Sequence, residues 1–420
     1  MRRRIPSLRT FFAGFVLLGA VAFATDTVAL VQQAATLPPR PTPTATAVPQ
    51  PTSRPRPSPA VAPAAAPVLA EVRPELAEPQ GKGVHPKTGR YIAAWLPDSF
   101  DGINRASFER NADILDEVSP FWYTTDSFGR LYHGSDARDQ TLIELAHSKN
   151  VLVIPTIHNV VLSGDPVPAL ISSPERRRNH IRNIVDEVMT HNYDGIDIDY
   201  EALDSSMREE FSAFIVELGE ALHAQDKLLT IAVHAKTSDY GGLGGFQDWV
   251  VLGKVVDRLR IMTYDYSWRG SSPGPIAPIY WVSDVMAYAK QVVDPAKVVV
   301  GVPFYGYNWP GSGGGRAVAQ TWDGINALIQ NYRLSVNLQE SNARGPVQEN
   351  WITYNGRQAW FATSRSLDAK LLLVQELDLA GIAIWRLGGE DPENWTVIRK
   401  RLVEDPFESQ RMVNRVLPEH

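Results

Sequence analysis

The 420-residue sequence has no cysteine. Disulfides and thiolate metal sites are therefore excluded, and the redox compartment is left open. Positive charge is not in excess: 41 Lys and Arg stand against 47 Asp and Glu, for a net charge of -6. That balance argues against nucleic acid or an anionic membrane as a partner. No two histidines have metal-ligand spacing, so the expectation is no metal and no cofactor. There is no internal repeat of fixed period. No Gly-rich phosphate loop follows the first strand candidate, which counts against a doubly wound dinucleotide-binding sheet. The apolar run Phe11 to Ala24 is short for a transmembrane helix.

What is present suits a sizeable folded domain. Hydrophobic residues make up 44% and charged residues 21%, ordinary values for a chain that buries a core. The 11 tryptophans suit sugar stacking and core packing alike. At the N-terminus, Arg2, Arg3, Arg4 and Arg9 precede the apolar run, which ends in Ala22-Phe23-Ala24. Residues 1–24 therefore read as a signal peptide or, if uncleaved, an N-terminal anchor. Cleavage removes four arginines and no acids, taking the formal charge from -6 to -10. The expected location is extracellular or the cell envelope, with a membrane tether if the leader stays. Residues 25–85 are rich in Pro, Ala and Thr, as in Pro38-Pro39 and Pro41-Thr42-Pro43. Such a segment cannot bury a core and reads as an extended, disordered linker. The folded domain is expected over 86–405, with a C-terminal tail at 406–420.

Within that domain, short apolar runs alternate with amphipathic stretches. The strand candidates are Tyr91–Leu96, Glu117–Tyr123, Val151–Ile157, Gly195–Glu201, Leu228–His234, Arg258–Tyr264, Val298–Phe304 and Gly381–Trp385. Several are β-branched and continuously apolar, as in parallel strands covered on both faces. Helical patterns lie between them, among them Ser173–Thr190, with Pro174 in its first turn, and Ser206–Ala224. Eight strands with crossover helices predict an α/β fold, a (β/α)8 TIM barrel. The link between the seventh and eighth strands is long. It contains the helix candidate Trp322–Tyr332 and an Asn355-Gly356 turn between two β-prone runs. A small α+β insertion at about 310–365 is expected there.

The most informative segment is Asp194-Gly195-Ile196-Asp197-Ile198-Asp199-Tyr200-Glu201. Alternate residues of a strand share a face, so Asp197, Asp199 and Glu201 point together, and the isoleucines point away. In a barrel the acids line the interior and climb toward the C-terminal mouth, where active sites lie. Three carboxylates on one buried strand repel each other and lose solvation, so part of the cluster stays protonated. That suits general acid chemistry. A structural ion network or a calcium site is the competing reading, although calcium wants six to eight oxygen ligands. Asp194 has the opposite parity and precedes Gly195; both read as structural.

The run Asp194-x-x-Asp197-x-Asp199-x-Glu201 resembles the D-x-x-D-x-D-x-E signature of family 18 glycoside hydrolases, the chitinase-like barrels. Met262-Thr263-Tyr264-Asp265 is similar to that family's sixth-strand motif, and Gly301 to Gly306 to its seventh strand. Trp385 stands where the family keeps an eighth-strand tryptophan. The segment Pro273 to Pro278 and the run Trp385 to Asp391 look most like the bacterial spore-germination type of N-acetylglucosaminidase, though no wall-binding LysM repeat is visible. The resemblance covers about residues 88 to 403. It implies retaining catalysis assisted by the substrate's own 2-acetamido group, the exception to the two-carboxylate scheme. Glu201 is then the acid, Asp199 the acetamido clamp, and Asp197 its proton-sharing partner. Tyr264 binds the acetamido oxygen with Asp265 in support, while Met262, Trp385 and Tyr305 contact the sugar. The implied partner is a polysaccharide containing N-acetylglucosamine, either peptidoglycan or a chitin-like polymer, bound by a monomer. A lectin-like protein that binds without cutting is the alternative, and members that only bind typically lack the acid. Trp268, Tyr307, Trp309 and Trp351 are further candidates for stacking. His158 and His234 end strands at the mouth and read as hydrogen-bonded structural residues.

Overall fold

A computed structural model describes residues 86–87, 89–97, 102–159, 164–239, 242–311 and 315–405. The leader, the linker and the tail lie outside these residues. Eight parallel strand positions run around a barrel, each followed by a helix. Strands one, four, five and six are Tyr91–Leu96, Gly195–Asp199, Leu228–His234 and Arg258–Met262; strands seven and eight are Val298–Pro303 and Gly381–Trp385. The first strand pairs with the eighth through Tyr91 opposite Gly381 and with the second through Ala93 opposite Glu117.

The second and third strands are each broken in two, where the sequence predicts continuous runs. Glu117–Pro120 pairs with Leu152–Val153, and Tyr123–Thr125 pairs with Thr156–His158. The breaks fall at Phe121-Trp122 and at Ile154-Pro155. Pro155 has no N–H to give to a neighbour and ends the ladder locally. Strand six ends at Met262 rather than Tyr264, and strand four ends at Asp199 rather than Glu201.

Strand parity sets the layers. Ile92, Ala94, Ile196, Ile198, Ile231 and Val233 point outward and pack under the helices. Phe211, Phe214, Ile215, Leu218 and Leu222 of helix Arg208–His223 are buried against them. Helix Pro174–Thr190 starts on Ser173, whose hydroxyl accepts the Arg176 N–H at 3.4 Å. Inward, the barrel holds Tyr91, Ala93, Trp95, Ala232, Val299 and Ala383. A buried ion pair, Arg260 with Glu117, lies among them, and the Tyr91 hydroxyl also donates to Glu117. Gly195 is required by contact: a Cβ there would stand 2.2 Å from the Leu228 carbonyl oxygen.

Between strands seven and eight the chain builds a five-stranded antiparallel sheet from Gly306 to Phe361, with helix Trp322–Tyr332. The sheet starts a few residues before the expected 310, because Gly306–Trp309 pairs with Arg357–Phe361. The hairpin between Gly345–Tyr354 and Arg357–Phe361 turns at Asn355 (φ 46) and Gly356 (φ 73), the double positive φ of a type I′ turn.

Candidate active site

Asp197 and Asp199 face inward on the fourth strand, fully and almost fully buried. Asp197 is saturated with donors. Trp95 Nε1 and Thr156 Oγ1 each give a hydrogen bond to Oδ2 at 2.9 Å, and Thr230 Oγ1 gives one to Oδ1 at 2.8 Å. Arg260 Nη1 stands 3.5 Å from Oδ2. Burial pushes the Asp197 carboxyl up to about 6, and the hydrogen bonds from Trp95, Thr230 and Thr156 pull it back. Asp199 has none of this help. Its Oδ1 is buried without a hydrogen-bond partner among the described residues. Burial first, then the charges of Glu201 and Asp197, hold its carboxyl well above the usual range. These surroundings favour the neutral form of the carboxyl over the charged one, and the side chain offers an unfilled polar atom.

Glu201 stands two residues past the end of its strand, yet keeps the inward parity. The side-chain amide of Asn159 replaces a neighbouring strand. Asn159 Oδ1 accepts the Glu201 N–H at 2.8 Å, and Asn159 Nδ2 donates to the Glu201 carbonyl at 2.8 Å. Tyr200 between the acids points outward, where its hydroxyl meets His180 Nε2 at 2.7 Å. Burial, and then the nearby Asp265, push the Glu201 carboxyl up to about 7. An acid with that value is protonated about half the time near neutrality, which is what proton donation to a leaving group requires.

Tyr264 and Asp265 follow the sixth strand. Neighbours on a strand face opposite ways, but Asp265 adopts φ 58, and both side chains lie within electrostatic reach of the acids. Burial, and then Asp199, Glu201, Asp265 and Asp197 in that order, raise the Tyr264 hydroxyl well above its ordinary value. Gly301 makes room for this ring: a Cβ there would approach Tyr264 Cε1 to 3.1 Å. Asp265 accepts hydrogen bonds from Tyr305 on Oδ1 and from Tyr307 on Oδ2, the latter at 3.1 Å. Burial raises the Asp265 carboxyl to about 6 against those two bonds. Trp385 closes the eighth strand, packed edge-on against Trp95 at 5.9 Å and Phe121 at 5.3 Å between ring centroids. Phe121 in turn stacks on His158 at 4.6 Å. Met262 is half-buried and faces His234 across the strand pair.

The structure thus gathers Asp197, Asp199, Glu201, Met262, Tyr264, Asp265, Tyr305 and Trp385 at one mouth. Asp194 and Gly195 lie at the opposite end of the strand; Asp194 Oδ2 accepts the Val153 N–H at 2.8 Å and meets His147 Nε2 at 2.9 Å. Two stacking candidates are used otherwise. Trp309 is buried and its indole N–H donates to the Ser271 carbonyl at 2.8 Å. Tyr307 is buried with its hydroxyl on Asp265. Sequence reasoning missed Trp95, Thr156, Thr230 and Arg260 around Asp197, although their inward parity was readable. It missed Asn159 altogether, since a loop asparagine carries no such signal. Among the described residues no cluster of three or more His, Cys, Asp or Glu is set to hold a metal ion.

The family model for glycosyl hydrolases family 18 matches residues 142–390. A Bacillus subtilis (strain 168) protein that carries the name of a sporulation-specific glycosylase, YdhD, is 30% identical over 351 residues, which are 78% of this chain and 80% of that protein. A cortical fragment-lytic enzyme of the same organism is 29% identical over 272 residues, 62% of this chain and 61% of its own length. The crystal structure of the Bacillus megaterium spore cortex-lytic enzyme SleL superposes with a TM-score of 0.67 over 75% of each chain at 23% identity, a likeness of fold.

Proposed function

The chain belongs to the glycosyl hydrolases of family 18, and we propose that it is an exported glycosidase that cuts β-1,4 bonds of N-acetylglucosamine-containing glycans with the substrate's acetamido group as nucleophile. Peptidoglycan or a chitin-like polymer is the substrate class. Glu201 protonates the glycosidic oxygen as the C–O bond breaks. The acetamido carbonyl oxygen attacks the anomeric carbon and closes an oxazolinium ring. Asp199, sharing one proton with Asp197, takes the acetamido N–H on its unfilled Oδ1 and, with that proton drawn toward Asp197, stabilises the positive charge. Tyr264 donates to the acetamido oxygen, with Asp265 behind it. Water then opens the ring, giving its proton to Glu201, so configuration at the anomeric carbon is retained.

The observation that carries this reading is the pairing of two differently housed carboxyls. Glu201 is poised near neutrality, and Asp199 is buried with an orphaned oxygen two residues before it. An ordinary two-carboxylate retaining enzyme needs a free carboxylate nucleophile. Here Asp197 has its oxygens occupied by Trp95, Thr156 and Thr230, and Asp265 has its own occupied by Tyr305 and Tyr307. The test is turnover of matched tetramers of N-acetylglucosamine and of glucose, with products identified by mass and anomer by NMR. Cleavage of the acetamido sugar alone, with retention, is expected. Comparable cleavage of both would reject acetamido assistance. Peptidoglycan digested in parallel separates the two polymer classes. The arginine-led leader and the proline-rich segment 25–85 support export and a spacer that holds the barrel off its attachment point.

A further inference from the structure

The fifth strand sends Thr230, Ala232 and His234 into the barrel, since alternate residues share a face. Thr230 serves Asp197, and Ala232 packs in the central apolar cluster. His234 is the last of the series and stands level with Glu201. Its Nε2 is 3.8 Å from Glu201 Oε2. That nitrogen is buried and has no hydrogen-bond partner among the described residues. Native proteins retain few buried polar atoms unpaired, so each asks for a use. The hydrogen bonds that fix Glu201 run through its backbone to Asn159 and leave its carboxyl free to respond.

The surroundings of His234 narrow the choice of partner. Phe246 meets its ring edge-on at 6.4 Å. Gln247 Oε1 accepts its backbone N–H at 2.8 Å. A Cβ at Gly244 would stand 3.3 Å from the His234 Cβ, and Met262 lies beside His234 on the sixth strand. Lys236, on the continuation of its own strand, is committed to the Gln247 carbonyl at 2.6 Å and to Asp239 at 3.1 Å. Asp265 acts on Glu201, and Glu201 and Asp197 act on Asp199, whereas burial alone acts on the imidazole. The titratable group facing the Nε2 atom is Glu201.

We propose that His234 is a positioning residue for the acid: a neutral imidazole whose Nε2–H closes onto the Glu201 carboxylate once Glu201 has released its proton. This rests on the reading of Glu201 as the acid. The 3.8 Å separation is too long for a hydrogen bond, and a small torsion of the glutamate closes it. The proton count is simple. The Glu201 O–H bond breaks as an O–H bond forms on the leaving glycosidic oxygen. The buried carboxylate then takes the imidazole N–H as a hydrogen-bond donor. When water attacks, its proton returns to Glu201 and the contact opens. His234 keeps its own proton throughout. Burial favours this role, because it holds the imidazole down at about 4, neutral in the working range.

The donor favours the carboxylate, so it lowers the value at which Glu201 ionises, and its removal does the reverse. The experiment records pH profiles of kcat and kcat/KM on the N-acetylglucosamine tetramer for the full chain, His234→Phe and His234→Gln. His234→Phe should move the alkaline limb upward by about one unit and lower kcat about tenfold, with little change in KM. His234→Gln restores an N–H donor and should bring the limb most of the way back. A limb that stays put or moves down in His234→Phe overturns the proposal, as does a His234→Gln profile identical to that of His234→Phe. If His234→Phe does not fold, nitrogen NMR of the histidine-labelled chain decides. Its Nε2–H signal should shift as pH crosses about 7 and should be static in Glu201→Gln; a bare Nε2 overturns the proposal. Failure of the acid reading would appear separately, as turnover by Glu201→Gln itself.

Discussion

Replacing Glu201 by glutamine should make the folded protein more heat-stable at pH 8 and leave it unchanged at pH 4. Folding raises the Glu201 carboxyl from an ordinary 4.5 to about 7, because burial and Asp265 disfavour the charge. A group whose value rises on folding contributes fully below its unfolded value, and that contribution is lost as pH climbs through the folded one. The window is therefore pH 4.5 to about 7, and by pH 8 the fold carries the whole cost of an ionised Glu201. At about 1.4 kcal/mol per unit the cost is about 3 kcal/mol. Water entering the cleft lowers it, and the glutamine amide needs partners of its own, so a gain of about 1–3 kcal/mol is expected. For a barrel of this size that is a rise in Tm of about 2–6 °C. The assay is thermal unfolding of both proteins at pH 4 and pH 8 at one scan rate, beside turnover of the N-acetylglucosamine tetramer. Turnover should fall by about 10²–10⁴. Equal shifts of Tm at both pH values, or a lower Tm for the variant at pH 8, would refute the argument that Glu201 is a strained acid.

Other substitutions test the supports around it. Asp199→Asn should cut turnover of acetamido sugars by about 10²–10³ while the fold, read by circular dichroism, is kept. Glu117→Gln leaves Arg260 buried without its full counter-charge, and urea unfolding should show a loss of about 3–5 kcal/mol; a neutral result would mean that Asp197 alone satisfies the guanidinium. Asn159→Ala removes both anchors of the Glu201 backbone. It should lower kcat about 10–100-fold with KM nearly unchanged, and cost about 1–3 kcal/mol of stability by the same unfolding assay.

The alternation of short apolar runs with amphipathic stretches made the barrel legible, because parallel strands buried on both faces and their crossover helices impose it. The acid ladder was legible for a sharper reason: the period of two fixes which side of the strand Asp197 and Asp199 occupy. The strand ends were not. Glu201 and Tyr264 lie past the last paired residue, where a side-chain amide and a positive φ at Asp265 take over from the ladder. Such contacts join residues 42 apart in sequence, and no local pattern encodes them. The breaks in strands two and three had a local sign in Pro120 and Pro155, which the apolar run around them obscured. The aromatics of the inserted sheet were ambiguous for want of pairing partners; once paired, Tyr307 supports Asp265, and Trp309 packs against the Ser271 carbonyl.

Glu349 sits on the inserted sheet, fully buried, and both its oxygens are spent on the barrel. They accept the N–H groups of Ile276 and Ala277 at 2.6 and 2.7 Å, with Lys370 Nζ of the following helix 3.7 Å away. The segment they grip follows the strand that delivers Tyr264 and Asp265, and Tyr307 of the same sheet reaches back to Asp265. The inserted sheet is therefore no exchangeable ornament. Hydrogen exchange at Ile276 and Ala277 should be as slow as in the sheet's own central strands, because rim and sheet open as one cooperative unit. A chimera that trades the sheet for a relative's would have to bring a carboxylate equivalent to Glu349 with it, or lose its hold on the loop that follows Asp265.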